Sequence, residues 1–359
     1  MLALRGGRVL TADGWSDADL LVDGDRIAGP DAGPDAGRDP VEVLDVTGCV
    51  VAPGLVDLHV HAAGGAPCQG PRADLPAVSR ALARGGVTAY LATAFAAPLP
   101  ELRALVTAPR PSEGARCVGV HLEGPWLSPA AAGAQPPEAL RVPDVAEALA
   151  LLDAGDVRCV TVAPELPGAL DLVRALADRG VRVSLGHSTA TYAEGVAAVR
   201  AGATGVTHCF NALSPLTGRE PGLVGLALTE PDLVVEVIAD GVHVHPASVR
   251  ALVAARGPQG VALVSDCVDG CAPEGLVRDG DVLRLADGTL AGSGLSLSDA
   301  VRHVVSWGVP LADALAMAST TPARALGLDV ALRPGAVADV VVLDADLRVR
   351  RVLVAGVLQ

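Results

Sequence analysis

The chain has 359 residues, half of them hydrophobic and only 2% aromatic, with a formal net charge of -14. That length exceeds one small domain and suits a barrel of roughly 250 residues plus an accessory piece. The acidic balance excludes non-specific nucleic-acid binding, which needs a basic patch; a small anionic substrate needs only a local arginine or a helix N-terminus.

Residues 1 to 52 read as short strands with turns. Leu2 to Leu10, Leu20 to Asp23 and Val41 to Val46 are β-like runs, and Gly6-Gly7, Asp13-Gly14 and Asp23-Gly24 supply turns. Ala28 to Pro40 is a Gly/Pro/Asp-rich loop. The C-terminus, from Asp339 to Val354, has the same β texture. Two β-rich ends predict one small β-sandwich domain assembled from residues 1–52 and 335–359.

The middle, residues 53–334, alternates. Apolar runs occur at Val56–His61, Val87–Thr93, Cys117–Glu123, Val157–Glu165, Val181–His187, Ala203–Asn211, Leu233–His243 and Val261–Asp266. Segments at helical spacing lie between most of them, such as Ala77–Arg84, Val145–Leu152, Ala169–Arg179 and Tyr192–Arg200. Several end in glycine (Gly85-Gly86, Gly180, Gly202), as left-handed C-terminal caps do. Eight buried-type strands separated by helices predict an α/β fold, a (β/α)8 TIM barrel. Doubly wound sheets also alternate; the placement of polar residues separates the two.

Those residues fall at the strand ends, where barrel enzymes build their sites. Seven of the 8 histidines lie at or just beyond a predicted strand end, His303 being the exception. His59 and His61 are two apart on a strand, so both imidazoles face the same way and can hold one metal. Glu123, His187 and His208 add a carboxylate and two imidazoles from other strands. These donors suit zinc, iron or manganese better than calcium. They suffice for one divalent metal with an open position, or two sharing Glu123. Asp266, closing the last strand, is the candidate general base. His121 could face inward, either supporting the ligands or filling space, and His245 reads as solvated. Cys209 and Cys267 flank site residues but point away by strand alternation. Cys68, after the first strand, reads as near the site without a nucleophilic role.

The seven cysteines are odd in number and form no Cys-x-x-Cys pair, which argues against a disulfide framework. The N-terminus has no basic region leading into an apolar run, and no stretch of about 20 apolar residues occurs. A cytoplasmic protein that contacts neither membrane nor nucleic acid is expected.

The stretch Pro53-Gly54-Leu55-Val56-Asp57-Leu58-His59-Val60-His61 is similar to the first-strand motif of the amidohydrolase superfamily. Further stretches resemble the N-acetylglucosamine-6-phosphate deacetylase family: His121-Leu122-Glu123-Gly124-Pro125, Gly186-His187-Ser188, Thr207-His208-Cys209-Phe210-Asn211-Ala212, Gly218-Arg219-Glu220-Pro221-Gly222, Ala239-Asp240-Gly241-Val242-His243 and Val264-Ser265-Asp266. The resemblance implies that Glu123, His187 and His208 hold the principal metal, most commonly zinc, with iron or manganese as alternatives. It implies that His59 and His61 hold a second metal where one is bound, and that Asp266 is the acid/base. Asn211, the backbone at Ala212, Arg219 and His243 would bind the sugar and its 6-phosphate. The reaction implied is hydrolysis of N-acetylglucosamine 6-phosphate to glucosamine 6-phosphate and acetate, by a homodimer.

Two departures bear on substrate. Family members usually carry a His where this chain reads Gly133-Ala134-Gln135, and Gln135 can donate a hydrogen bond but carry no charge. The loop Ala62–Cys68 also differs in composition. A different N-acyl amino sugar, such as a galactosamine phosphate or a secondary-metabolite sugar, is the first alternative; a cyclic-amide hydrolase or deaminase and a non-catalytic barrel rank lower. Many two-metal amidohydrolases bridge their ions with a carbamylated lysine. This chain contains no lysine, so that subclass is excluded and Glu123 takes the bridging place.

Overall fold

A computed structural model describes residues 1–30, 42–271, 277–279 and 282–359. The loop expected over Ala28–Pro40 therefore lies mostly outside the described residues. Eight strands form one sheet in sequential order: β1 (Leu55–Val60), β2 (Val87–Ala94), β3 (Arg116–Glu123), β4 (Val157–Val162), β5 (Arg182–Leu185), β6 (Gly205–Val206), β7 (Val234–Ile238) and β8 (Val261–Val264). Each neighbouring pair is parallel. The sheet closes where Val60 bridges Cys267 in parallel and Asp266 N–H donates to the His59 carbonyl at 2.9 Å. The predicted barrel is therefore present. Strands buried on both faces carry the near-continuous Val, Leu and Ala runs that parallel sheets require, and every residue of β1, β2, β5, β7 and β8 is buried.

Helices lie in the predicted places. The helix Tyr192–Ala201 shows why: the Thr191 side chain accepts from Glu194 N–H, Glu194 returns the bond, and Gly202 ends the helix at φ 119°. Gly180 (φ 72°) also fits the left-handed expectation. Gly85 does not, with φ -83°; Gly86 takes the positive φ instead, at 92°.

Several strands are shorter than their apolar runs. β6 spans two residues rather than Ala203–Asn211, and β4, β5, β7 and β8 stop before the polar residues that close their runs. For β5, β6 and β8 the cause is local: His187, His208 and Asp266 have φ of 47°, 27° and 46°, outside the β region. The backbone turns there and re-aims each side chain over the barrel mouth. The Leu2–Leu10 run is likewise split into Leu2–Arg5 and Arg8–Thr11, with Gly6 at φ 83°.

Two further sheets follow, the first from N-terminal strands and the second from strands of both chain ends. One has four strands, ordered Arg26–Pro30, Leu20–Asp23, Leu2–Arg5, Glu42–Asp45. The other has six, and its Val340–Leu343 strand pairs with Val50–Pro53. Leu4, Val9, Val22, Ile27, Val51, Val340 and Leu353 form their separate core. An additional three-stranded sheet, Val277–Asp279, Val282–Arg284 and Leu290–Ser293, follows β8. Its strands span only three or four residues each, too short for an alternation to announce them. Among the described residues, no helix is long and apolar enough to cross a membrane.

Candidate active site

Glu123, the last residue of β3, is the meeting point. Its Oε1 lies 3.0 Å from His187 Nε2 and 2.9 Å from His208 Nε2. Its Oε2 lies 3.2 Å from His61 Nε2, and Oε1 is 3.5 Å from His59 Nε2. The two imidazole pairs are each closed, with Nε2–Nε2 distances of 3.1 Å for His59–His61 and for His187–His208. All five side chains are buried. Two ligand groups result, His59/His61/Glu123 and Glu123/His187/His208, each with its ligand atoms within 4.8 Å of one another. A neutral imidazole has one N–H and one lone pair. Four Nε2 atoms aimed at one carboxylate cannot all be satisfied by protons, whereas divalent ions accept every lone pair. The donor set therefore fits one or two such ions, as the sequence predicts.

Asp266 stands over the His59/His61 side, with Oδ1 3.4 Å from the Nε2 of each. Burial raises its pKa, but the His59 and His61 imidazoles outweigh this and hold it below the ordinary range. The same balance applies to Glu123, where burial is overcome by His59 and His187 and the pKa falls well below its usual value. Both carboxylates are thus charged. The positive φ angles at His187, His208 and Asp266 are strain of the kind concentrated at functional sites.

Beneath the ligands the barrel interior is polar. His121 is buried, its Nδ1 3.1 Å from the Leu58 carbonyl and its Nε2 2.7 Å from Thr161 Oγ1. Burial first, and the neighbouring His59 second, push its pKa down to about 3, so it is a neutral support under the ligands. Asp57 accepts the His59 and Ser265 backbone N–H groups, and burial lifts its pKa to about 6. Glu236, on β7, places Oε2 3.4 Å from His59 Nδ1. It went unnoticed in the sequence. The available signal was one carboxylate inside Leu233-Val234-Val235-Glu236-Val237-Ile238, where an apolar residue is expected.

The ligands open into a cavity of about 320 Å³ that is also lined by Gln135, Asn211, Ala212, His243 and Asp266. A larger one, about 690 Å³, adjoins it through Phe95 and Gln135 but touches only His61 of the candidate ligand set, so the smaller is the candidate reaction cavity. His243 Nδ1 is 2.6 Å from Asp240 Oδ2, and its Nε2 has no partner among the described residues. Gln135 turns toward the metal side: its amide nitrogen donates to Glu123 Oε2 at 2.6 Å while its oxygen accepts Ala96 N–H at 2.8 Å. Asn211 donates to the His208 carbonyl at 3.2 Å. Arg219 is exposed in the loop before the helix Gly222–Thr229 and is not brought to this cavity. His245 is exposed yet not merely solvated, since its ring accepts from Ala247 N–H at a helix start. Cys68 is buried, with its thiol on the Val60 carbonyl; burial holds its pKa well above the usual value, which suits no nucleophile. Cys209 and Cys267 are buried and line neither cavity. Phe95, also unnoticed in the sequence, stacks on His61 at 3.6 Å and 1°.

Comparison with known proteins bears directly on this constellation. The amidohydrolase family model matches residues 50–358. The chain belongs to the amidohydrolase family. It is 38% identical to the N-acetylgalactosamine-6-phosphate deacetylase of Escherichia coli O157:H7, covering 98% of both chains. It is 36% identical to the N-acetylglucosamine-6-phosphate deacetylase of Vibrio furnissii, over 85% of this chain and 81% of that one. A mutant of the Mycobacterium smegmatis N-acetyl-D-glucosamine-6-phosphate deacetylase, in complex with N-acetyl-D-glucosamine-6-phosphate, superimposes with a TM-score of 0.90 at 36% identity, covering 99% of this chain and 98% of that one. Within the family, this amidohydrolase groups with the N-acetylglucosamine-6-phosphate deacetylases.

Proposed function

We propose that this amidohydrolase removes the acetyl group from N-acetylglucosamine 6-phosphate, giving glucosamine 6-phosphate and acetate. The observation that carries the reading is the position of Asp266, 3.4 Å from two imidazoles of a ligand set that shares Glu123. Glu123, His187 and His208 would hold one divalent ion, and His59, His61 and Glu123 a second. Bound there, zinc would supply Lewis-acid activation of water and of the amide carbonyl. Asp266, charged before the reaction, accepts the proton of the attacking water. It then gives that proton to the amine nitrogen as the C–N bond breaks. His243 Nε2, unpaired at the cavity wall, would meet a sugar hydroxyl. Asn211 and the Ala212 backbone frame the same wall. Arg219 would meet the phosphate as a bidentate donor only after its exposed loop or a partner subunit closes over the cavity. A cytoplasmic homodimer fits this picture.

A second reading is favoured by one comparison: the 38% identical relative acts on the galactosamine epimer, as its name states. The experiment is acetate release by zinc-loaded enzyme from N-acetylglucosamine 6-phosphate, N-acetylgalactosamine 6-phosphate and the two unphosphorylated sugars. Faster release from the glucosamine phosphate, with loss on removing the phosphate, is expected. Faster release from the galactosamine phosphate would replace the first reading with the second, and none from either would end both.

A further inference from the structure

Barrel interiors of this fold are normally closed by layers of branched apolar side chains. β7 breaks that rule at one position. Glu236 points inward between Val235 and Val237, pairs in register with Ala262 of β8, and is 0% exposed. An ionised carboxylate in such a place is strongly disfavoured unless it is compensated. The compensation is partial: Oε2 meets His59 Nδ1 at 3.4 Å, while Oε1 has no partner among the described residues. Arg182, whose guanidinium donates to the Thr204 and Val234 carbonyls, adds a favourable charge from nearby. A valine would be cheaper, so packing does not explain Glu236.

Its partner does. For His59 to present Nε2 as a lone pair, its proton must sit on Nδ1, and a carboxylate acceptor behind Nδ1 enforces that tautomer. The other ligand imidazoles are treated differently. His187 Nδ1 has a neutral acceptor, the Ala131 carbonyl at 2.9 Å. The Nδ1 atoms of His61 and His208 have no partner among the described residues. Among the described residues, only the His59/His61 position therefore has a carboxylate behind one of its imidazoles. Its own carboxylate, Glu123, is shared with the other position, so the added charge matters most there.

We infer that Glu236 is a positioning residue that selects the second cation: it orients His59 and adds charge behind the His59/His61/Glu123 position, without setting occupancy at Glu123/His187/His208. The inference rests on the two-position metal reading above but not on the identity of the sugar.

The test is zinc bound per chain, measured by inductively coupled plasma mass spectrometry at graded free zinc, for wild type, Glu236→Gln and Glu236→Leu. Wild type should fill in two steps. In both variants the second step should move to about 10- to 100-fold higher free zinc, the usual cost of losing such a partner, with the first step unmoved. Thermal melts of the zinc-free proteins should show both variants folded, because each removes a buried charge. Two steps unchanged in the variants, both steps lost together, a single step in wild type, or zinc-free variants that do not fold would each overturn the inference. Acetate release is read in parallel. Its absence from wild type, alongside a variant-specific loss of the second step, would reject the proposed substrate and leave Glu236 in its role.

Discussion

Gln135 holds Glu123 from outside the barrel, donating to Oε2 at 2.6 Å while its own carbonyl is fixed by Ala96 N–H at 2.8 Å. A residue that the sequence suggested for the sugar thus also braces the carboxylate common to both ligand groups. Replacing Gln135 by Ala strands a buried N–H and frees Glu123. We expect a loss of about 1–3 kcal/mol in urea unfolding, the cost of an unsatisfied buried donor, and about tenfold weaker zinc binding. Gln135→Glu should destabilise the zinc-free protein further, because it sets a second carboxylate against Glu123. Equal stability of the two variants would deny the bracing role.

Asp266→Asn retains the shape but loses the proton acceptor. Acetate release should fall by about 10²- to 10⁴-fold, the range general base catalysis supplies. Bound zinc should be nearly unchanged, since Asp266 lies outside both ligand groups. Activity within threefold of wild type would move the base elsewhere.

His243→Ala removes the ring whose Nδ1 is held by Asp240 and whose Nε2 faces the cavity unpaired. One neutral hydrogen bond is worth about 1 kcal/mol, so KM for the sugar phosphate should rise about fivefold with kcat less affected. Steady-state kinetics decide it: a fall in kcat alone would place His243 in the chemical step.

Chelation should abolish turnover and lower the melting temperature, and zinc should restore both. An ion at a hundred times its Kd stabilises by about 2.7 kcal/mol, which differential scanning calorimetry resolves. Full activity after exhaustive chelation would contradict the metal-dependent reading of His59, His61, Glu123, His187 and His208.

Much of this site was legible in the chain because strand period and strand-end position are local properties. His59 and His61 face one way by alternation, and the structure closes them to 3.1 Å. Glu123 and His187 end their runs, His208 lies near the end of its own, and both imidazoles reach Glu123. The fold was legible for the same reason, since eight apolar runs alternate with helical segments. Strand length was less so. The apolar character of Ala203–Asn211 outlasts a strand of two residues, because residues buried in turns over the barrel mouth are as apolar as residues in strands.

Glu236 and Phe95 were not legible, for a common reason. Each acts on a residue far away in sequence, Glu236 on His59 and Phe95 on His61, and no local pattern reports such pairing. Gln135 appeared as an isolated departure from a motif until its two partners were in view. The sequence by itself determined the barrel and pointed to the candidate ligands and the candidate base, since these follow from periodicity and residue chemistry. Only the tertiary structure decided that Asp266 stands 3.4 Å from the Nε2 atoms of both His59 and His61, and that Gln135 meets Glu123 while Glu236 meets His59 Nδ1. Those are distances between strands and loops, and barrel closure, rather than any local run of residues, sets them.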